Sequence, residues 1–172
     1  ADYPQADLGA GWRRNDALMI CPNMRAAQIY IHHPTPALVE EIALRVLVDG
    51  RVDQVIWRSR LTEGTSEYTV LTHRGRIEFS RGGAVVARGE PTGDGVDRFG
   101  RQWKWSGEPG ALDLQQDGRE VHFGNYPNAF ERIAGVLDLD MSGELWVTAK
   151  PGCEFEVPGG KMVVVPRLPD QR

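Results

Sequence analysis

The spacing of apolar positions predicts short strands broken by two helices. Leu18-Met19-Ile20-Cys21 is an apolar run that stops at Pro22-Asn23, as a strand ended by a turn does. Residues 27–31 are rich in β-branched and aromatic side chains and close at His32-His33-Pro34, a second strand. Thr35 is a good N-cap with Pro36 at the first helical position. After it Leu38, Val39, Ile42, Leu44, Val46 and Leu47 make a largely apolar helix ending near Asp49-Gly50. Residues 52–57 read as the next strand, so residues 27–57 form a β–α–β unit.

From Glu67 to Glu90 the period falls to two. Tyr68, Val70 and Thr72 alternate, as do Ile77 and Phe79, around a turn at His73-Arg74-Gly75-Arg76, and residues 84–87 add a third strand to this meander. Residues 91–101 are rich in Gly and Asp and are expected to be a mobile loop. Trp103 and Trp105 point to one side of a further strand, and Val121-His122-Phe123 makes another. Residues 125–138 predict a second amphipathic helix, with Phe130, Ile133, Ala134 and Leu137 at helical spacing, and residues 145–148 a last strand. The pattern is α+β: a mostly antiparallel sheet with two main helices and one β–α–β crossover. It divides into an N-terminal arm (1–17), a body (18–160) and a C-terminal tail (161–172).

A chain of 172 residues suggests one domain, or one lobe of something larger. With 41% hydrophobic and 26% charged residues it has enough apolar material for a core. The net charge of −4, spread without long like-signed runs, argues against a nucleic-acid partner. No apolar stretch is long enough to span a membrane. No basic-then-apolar leader precedes the body, and the chain opens on Ala1 without an initiator methionine, as expected of a processed chain or a fragment. Cys21 and Cys153 stand far apart, with no His or Cys at metal-ligand spacing. Buried, reduced thiols in a cytoplasmic protein are expected, with a disulfide or a reactive thiol as alternatives.

The reactive residue types form no familiar constellation. His32 and His33, adjacent on a strand end, are expected to face opposite ways and so not to share a metal. His73 lies beside two arginines, and His122 alternates with Val121 and Phe123. The sequence "DLDMSGE" from Asp138 to Glu144 begins like a calcium loop, but its twelfth position is Ala149 where a bidentate Glu is required. "GDGVDRFG" from Gly93 to Gly100 neither follows a strand nor opens a helix, as a phosphate loop must. There is no Gly-x-Ser-x-Gly and no Walker lysine, so no catalytic or metal residue is assigned. One ligand-stacking candidate remains: Trp103 and Trp105 with Arg101 nearby. The plain alternative is a half-buried strand with both tryptophans on one face.

Three stretches are more specific. "CPNMRAAQIYI" (21–31), "GNYPNAFERIAGVLDLDMSGELWVTAKPG" (124–152) and "EFEVPGG" (154–160), in this order and spacing, resemble the nucleotide pyrophosphatase/phosphodiesterase-like branch of the alkaline phosphatase superfamily. The resemblance implies a metal-dependent phosphohydrolase or phosphodiesterase, in which two divalent ions such as zinc activate the nucleophile and stabilise the leaving oxygen. Family members carry the nucleophile and first ligands near the N-terminus, an Asp-His pair mid-chain, and a His after the Pro-Gly-Gly turn. None of these maps onto this chain: no Asp-His occurs, and Lys161-Met162-Val163-Val164-Val165 stands where the last His is expected. Codons for Met-Val-Val-Val-Pro, read in a shifted frame, can spell His-Gly-Gly-Gly-Ser, so an out-of-frame ending from Met162 is expected. The resemblance therefore implies a fragment or insert lobe that is inactive alone and binds no cofactor itself. Its partner would be a complementary N-terminal catalytic half, or a second copy joined through apolar edges at residues 18–20 and 162–165. The alternative is a stand-alone small-molecule-binding or protein-interaction module.

Overall fold

In a computed structural model, residues 16–62, 65–82, 92–155 and 163–166 are described. Their elements are β1 (Asp16–Asn23), β2 (Ala26–Ile31), α1 (Pro36–Leu47), β3 (Val52–Thr62), β4 (Thr65–Thr72) and β5 (Gly75–Arg81). There follow β6 (Gly93–Val96), β7 (Gln102–Gly107), β8 (Leu114–Asp117), β9 (Glu120–Phe123), α2 (Ala129–Leu137), β10 (Leu145–Ala149) and β11 (Val163–Pro166). Eleven strands make one sheet in the order β11-β1-β2-β10-β3-β4-β5-β7-β6-β9-β8. Every neighbouring pair is antiparallel except β6 with β9, so the α+β class and the antiparallel character read from the pattern are what the chain adopts.

The β–α–β unit is present in a split form. β10 pairs antiparallel with both β2 and β3, so these two run parallel with a late strand between them, and α1 carries the chain across. Helix α1 starts where the sequence signals it should: Thr35 Oγ1 accepts the Leu38 N–H at 3.2 Å and Pro36 holds the first helical position. It buries Val39 and Ala43 against Ile29, Ile31, Val55, Trp57, Leu145 and Val147.

Because strand side chains alternate, Gln54 and Ile56 of β3 face the opposite side, where α2 lies. There Phe130, Ile133, Ala134 and Leu137 pack on Ile56, Tyr68, Val70, Ile77 and Phe79. Phe130 sits at the centre, its ring 4.2 Å from Phe79, 4.9 Å from Phe123, 5.4 Å from Trp103 and 5.9 Å from Trp105. Such aromatic pairs add about 0.5–1.5 kcal/mol each beyond their buried area.

Four segments depart from the sequence pattern. In the Gly/Asp stretch expected to be a mobile loop, residues 93–96 form β6. A Cβ at Gly93 would lie 2.3 Å from the Trp105 ring, so glycine there makes room for tryptophan and does not signal mobility. Helix α2 begins at Ala129, later than expected, because Asn128 adopts a left-handed conformation (φ 54°) after Pro127. A 3-10 turn at Pro109–Leu112 and strand β8 give little hydrophobic signal. Within the expected tail, β11 pairs with β1, matching Leu18 to Val165, Met19 to Val164 and Ile20 to Val163. The two apolar segments expected to be sticky edges thus pair with each other along their backbones, and β11 is the outermost strand on that side of the sheet. The strand expected at residues 84–87 and the Pro-Gly-Gly turn lie outside the described residues.

Candidate functional site

The tryptophan candidate is not a surface. Trp103 is 0% and Trp105 2% exposed, both rings packed around Phe130, so a planar ligand could stack on neither without displacing the core. Trp103 donates its indole N–H to Asp97 at 2.9 Å. Arg101 pairs with Glu131 of α2. Asp97 also accepts the backbone N–H groups of Phe99 and Arg101. Burial opposes its ionisation most strongly, but these three donors together outweigh it and hold the carboxyl below its usual range. The strand is the half-buried one of the plain reading: Trp103 and Trp105 share its buried face, while Gln102 is exposed and Lys104 half-buried.

Other candidates resolve in the same way. His32 and His33, expected to diverge, stack at 4.1 Å because His33 adopts a left-handed conformation (φ 56°) that ends the alternation. In the calcium-like segment two of the carboxylates have protein partners. Asp138 accepts the Tyr68 hydroxyl at 2.8 Å, and Glu144 accepts the Ile31 N–H at 2.6 Å. Burial and the Asp138 bond push the Tyr68 hydroxyl up to about 12, so it stays a donor. Among the described residues, no group of three or more His, Cys, Asp or Glu side chains is arranged to hold a metal, and the metal pair of the resembled family finds no ligand set there. Cys21 and Cys153 are unbridged, and burial pushes the Cys21 thiol up, away from thiolate chemistry. No helix among the described residues is long and apolar enough to cross a membrane.

Two cavities flank β3, one on each face. The first, about 510 Å³, opens at the N-terminus of α1. Its central cation, Arg76, is held by Glu40 at 2.5 Å and Glu78 at 2.7 Å, and its guanidinium lies 5.3 Å over the Trp57 ring. Thr35 already caps the helix. Arg58 and Arg60 also line the cavity, together with Glu67 and Glu144, so its three cations face four carboxylates and leave no surplus of positive charge.

The second, about 620 Å³, opens at the N-terminus of α2. Its lining carries Arg25, Arg74, Arg132 and Lys150 but a single carboxylate, Asp53. Arg25 donates to the Ala149 carbonyl at 3.3 Å. Arg74 donates to the Ala111 carbonyl and, at 2.9 Å, to the Tyr126 hydroxyl, which in turn donates to Asp53 at 3.0 Å. Burial and the Asp53 charge raise the Tyr126 hydroxyl, with Arg74 opposing, so the proton stays on the phenol. Among the described residues, neither Arg132 nor Lys150 has a carboxylate partner. Gln54, 5% exposed, accepts from Thr148 with its carbonyl at 3.4 Å, but its amide nitrogen has no partner among the described residues. A buried donor left unmade costs about 1–3 kcal/mol.

No local motif announces these four cations. They come from the β1–β2 turn, the β4–β5 turn, the first turns of α2 and the residue after β10, and they meet because β10 threads between β2 and β3. The one sequence hint is Pro127-Asn128 ahead of an apolar helix. Compared with known proteins, the chain matches no family model, no curated protein and no solved structure.

Proposed function

We propose that this chain is the sheet-completing lobe of a metal-dependent phosphohydrolase or phosphodiesterase of the alkaline phosphatase type, and that it shapes access to a metal centre held by residues elsewhere. What supports the reading is the contiguity of the stretches that carry the resemblance. β2, from the first, pairs with β10, from the second. The Ala149 N–H donates to the Arg25 carbonyl at 2.9 Å, and the Phe155 N–H, from the third stretch, donates to the Met24 carbonyl at 2.7 Å. Segments more than a hundred positions apart thus form one continuous patch. A complementary catalytic half is the partner this reading requires, and two unbridged thiols accord with a cytoplasmic setting.

Two measurements test it. The 172-residue chain, supplied with Zn²⁺ or Mn²⁺, is expected to leave p-nitrophenyl phosphate and bis-p-nitrophenyl phosphate intact, and robust turnover overturns the reading. The flanking gene sequence is expected to encode a nucleophile motif and an Asp-His pair, and their absence also overturns it.

A second reading, a stand-alone small-molecule-binding module, is favoured by one observation: the cavity at α2, where cations outnumber carboxylates four to one. Trp103 and Trp105 play no direct part in it, being buried beneath Phe130.

A further inference from the structure

We infer that the cavity at the N-terminus of α2 binds a phosphate monoester with a compact aromatic body. The argument begins with charge. In a protein of net charge −4, four cations converge on one opening. Arg132 and Lys150 have no carboxylate partner among the described residues, while Arg25 and Arg74 donate to neutral oxygens and keep their charge uncompensated. The single carboxylate, Asp53, accepts the Tyr126 hydroxyl. This surplus suits a dianion better than a monoanion. Guanidinium forks match phosphoryl oxygens in pairs, whereas an ammonium offers a mobile point charge.

The helix terminus adds direction. Helix α2 has nine residues, and its N-cap residue, Asn128, makes no side-chain cap. The first-turn N–H groups, with the positive end of the helix dipole, therefore lack a side-chain acceptor. The acidic residue of that turn, Glu131, is occupied by Arg81 and Arg101. An oxyanion is the ligand such a terminus takes.

Gln54 supplies an independent sign. Gln54 is among the residues that line the same cavity and is only 5% exposed, and its amide nitrogen, closed to solvent, lacks a partner among the described residues. A rotation of the amide toward the cavity would let a ligand oxygen satisfy it. The wall also has an apolar part, with Trp146, Ile56 and Ile133. A volume of about 620 Å³ exceeds what a bare phosphate fills, and an aromatic body would occupy the remainder against Trp146. The inference goes beyond the phosphohydrolase reading and needs no metal.

Calorimetric titration of the intact chain with phenyl phosphate, in EDTA and at low salt, tests it. Phenyl phosphate is expected to bind more tightly than inorganic phosphate or diphenyl phosphate, and phenol not at all. Arg132→Ala and Lys150→Ala should each weaken binding about tenfold, the loss of one charged hydrogen bond. Gln54→Met, which keeps the volume, should weaken it several-fold, and Arg45→Ala on α1 should change nothing. Arg132 is exposed, so its variant remains informative if Gln54→Met does not fold. No binding of phenyl phosphate up to about 10 mM overturns the inference. Equal affinity for inorganic phosphate, tighter binding of the diester, or indifference to Arg132→Ala does so too. Because no metal or turnover is involved, this failure is distinct from failure of the phosphohydrolase reading.

Discussion

The two cavities on either side of β3 are built alike and charged differently. Each lies where a helix begins, each has arginine in its wall, and each is backed by tryptophan. At α1 the helix is capped by Thr35, and Arg76 is clamped between Glu40 and Glu78. At α2 the helix has no side-chain cap, and two cations stand without carboxylates among the described residues. The difference teaches that a basic residue in a cleft means little until its partners are counted. Arg76 belongs to the scaffold, whereas Arg132 contributes no ion pair to the described fold.

The largest effect is expected where the second cavity meets the core. Phe130→Ala removes the ring on which Phe79, Trp103, Trp105 and Phe123 converge. It should cost about 3–5 kcal/mol in equilibrium urea unfolding. A loss below about 1 kcal/mol would mean that α2 is not held by this cluster.

The next test sets the cavities directly against each other. Arg76→Met leaves Glu78, with a side chain 9% exposed, and Glu40 without their shared cation. Partial exposure moderates the penalty, and about 2 kcal/mol of destabilisation is expected. Arg132→Ala, the matching change in the other cavity, should stay within about 0.5 kcal/mol. Equal losses in the two variants would erase the distinction between the two cavities.

The last test concerns Asp97 and depends on pH. Its folded-state carboxyl is held below the usual range, so its contribution is present above the unfolded value near pH 3.9. That contribution is lost as pH falls through the lower folded value. Asp97→Asn should therefore cost about 1 kcal/mol near neutral pH and progressively less in acid, followed through tryptophan fluorescence in urea. A difference that does not shrink in acid would show that the carboxylate charge is irrelevant to the turn.

Much of the frame was legible because its determinants are local. Thr35-Pro36 marks the start of α1, and period-two alternation from Tyr68 to Phe79 marks the hairpin of β4 and β5. The errors arose where a neighbour distant in sequence decides the outcome. Gly93 looks like loop material until Trp105 is found against it, and Val163–Pro166 looks like a loose end until β1 is found beside it. Tryptophans chosen for their chemistry proved to be core, because burial depends on Phe130, which lies some twenty-five positions further along the chain. The cation-lined cavity was illegible for the same reason. Arg25 and Lys150 stand at the two ends of the described body and become neighbours only through strand order.

That strand order also governs how the chain can fold. Until residues 145–149 arrive, β2 and β3 flank an empty slot, each offering a row of unpaired backbone donors and acceptors. Completing the sheet means closing a loop across most of the sequence, which places this fold among slow, non-local folders. During synthesis the slot is open to any extended segment, including β10 of another copy, and exchange of that strand is the assembly error to which this topology is most exposed.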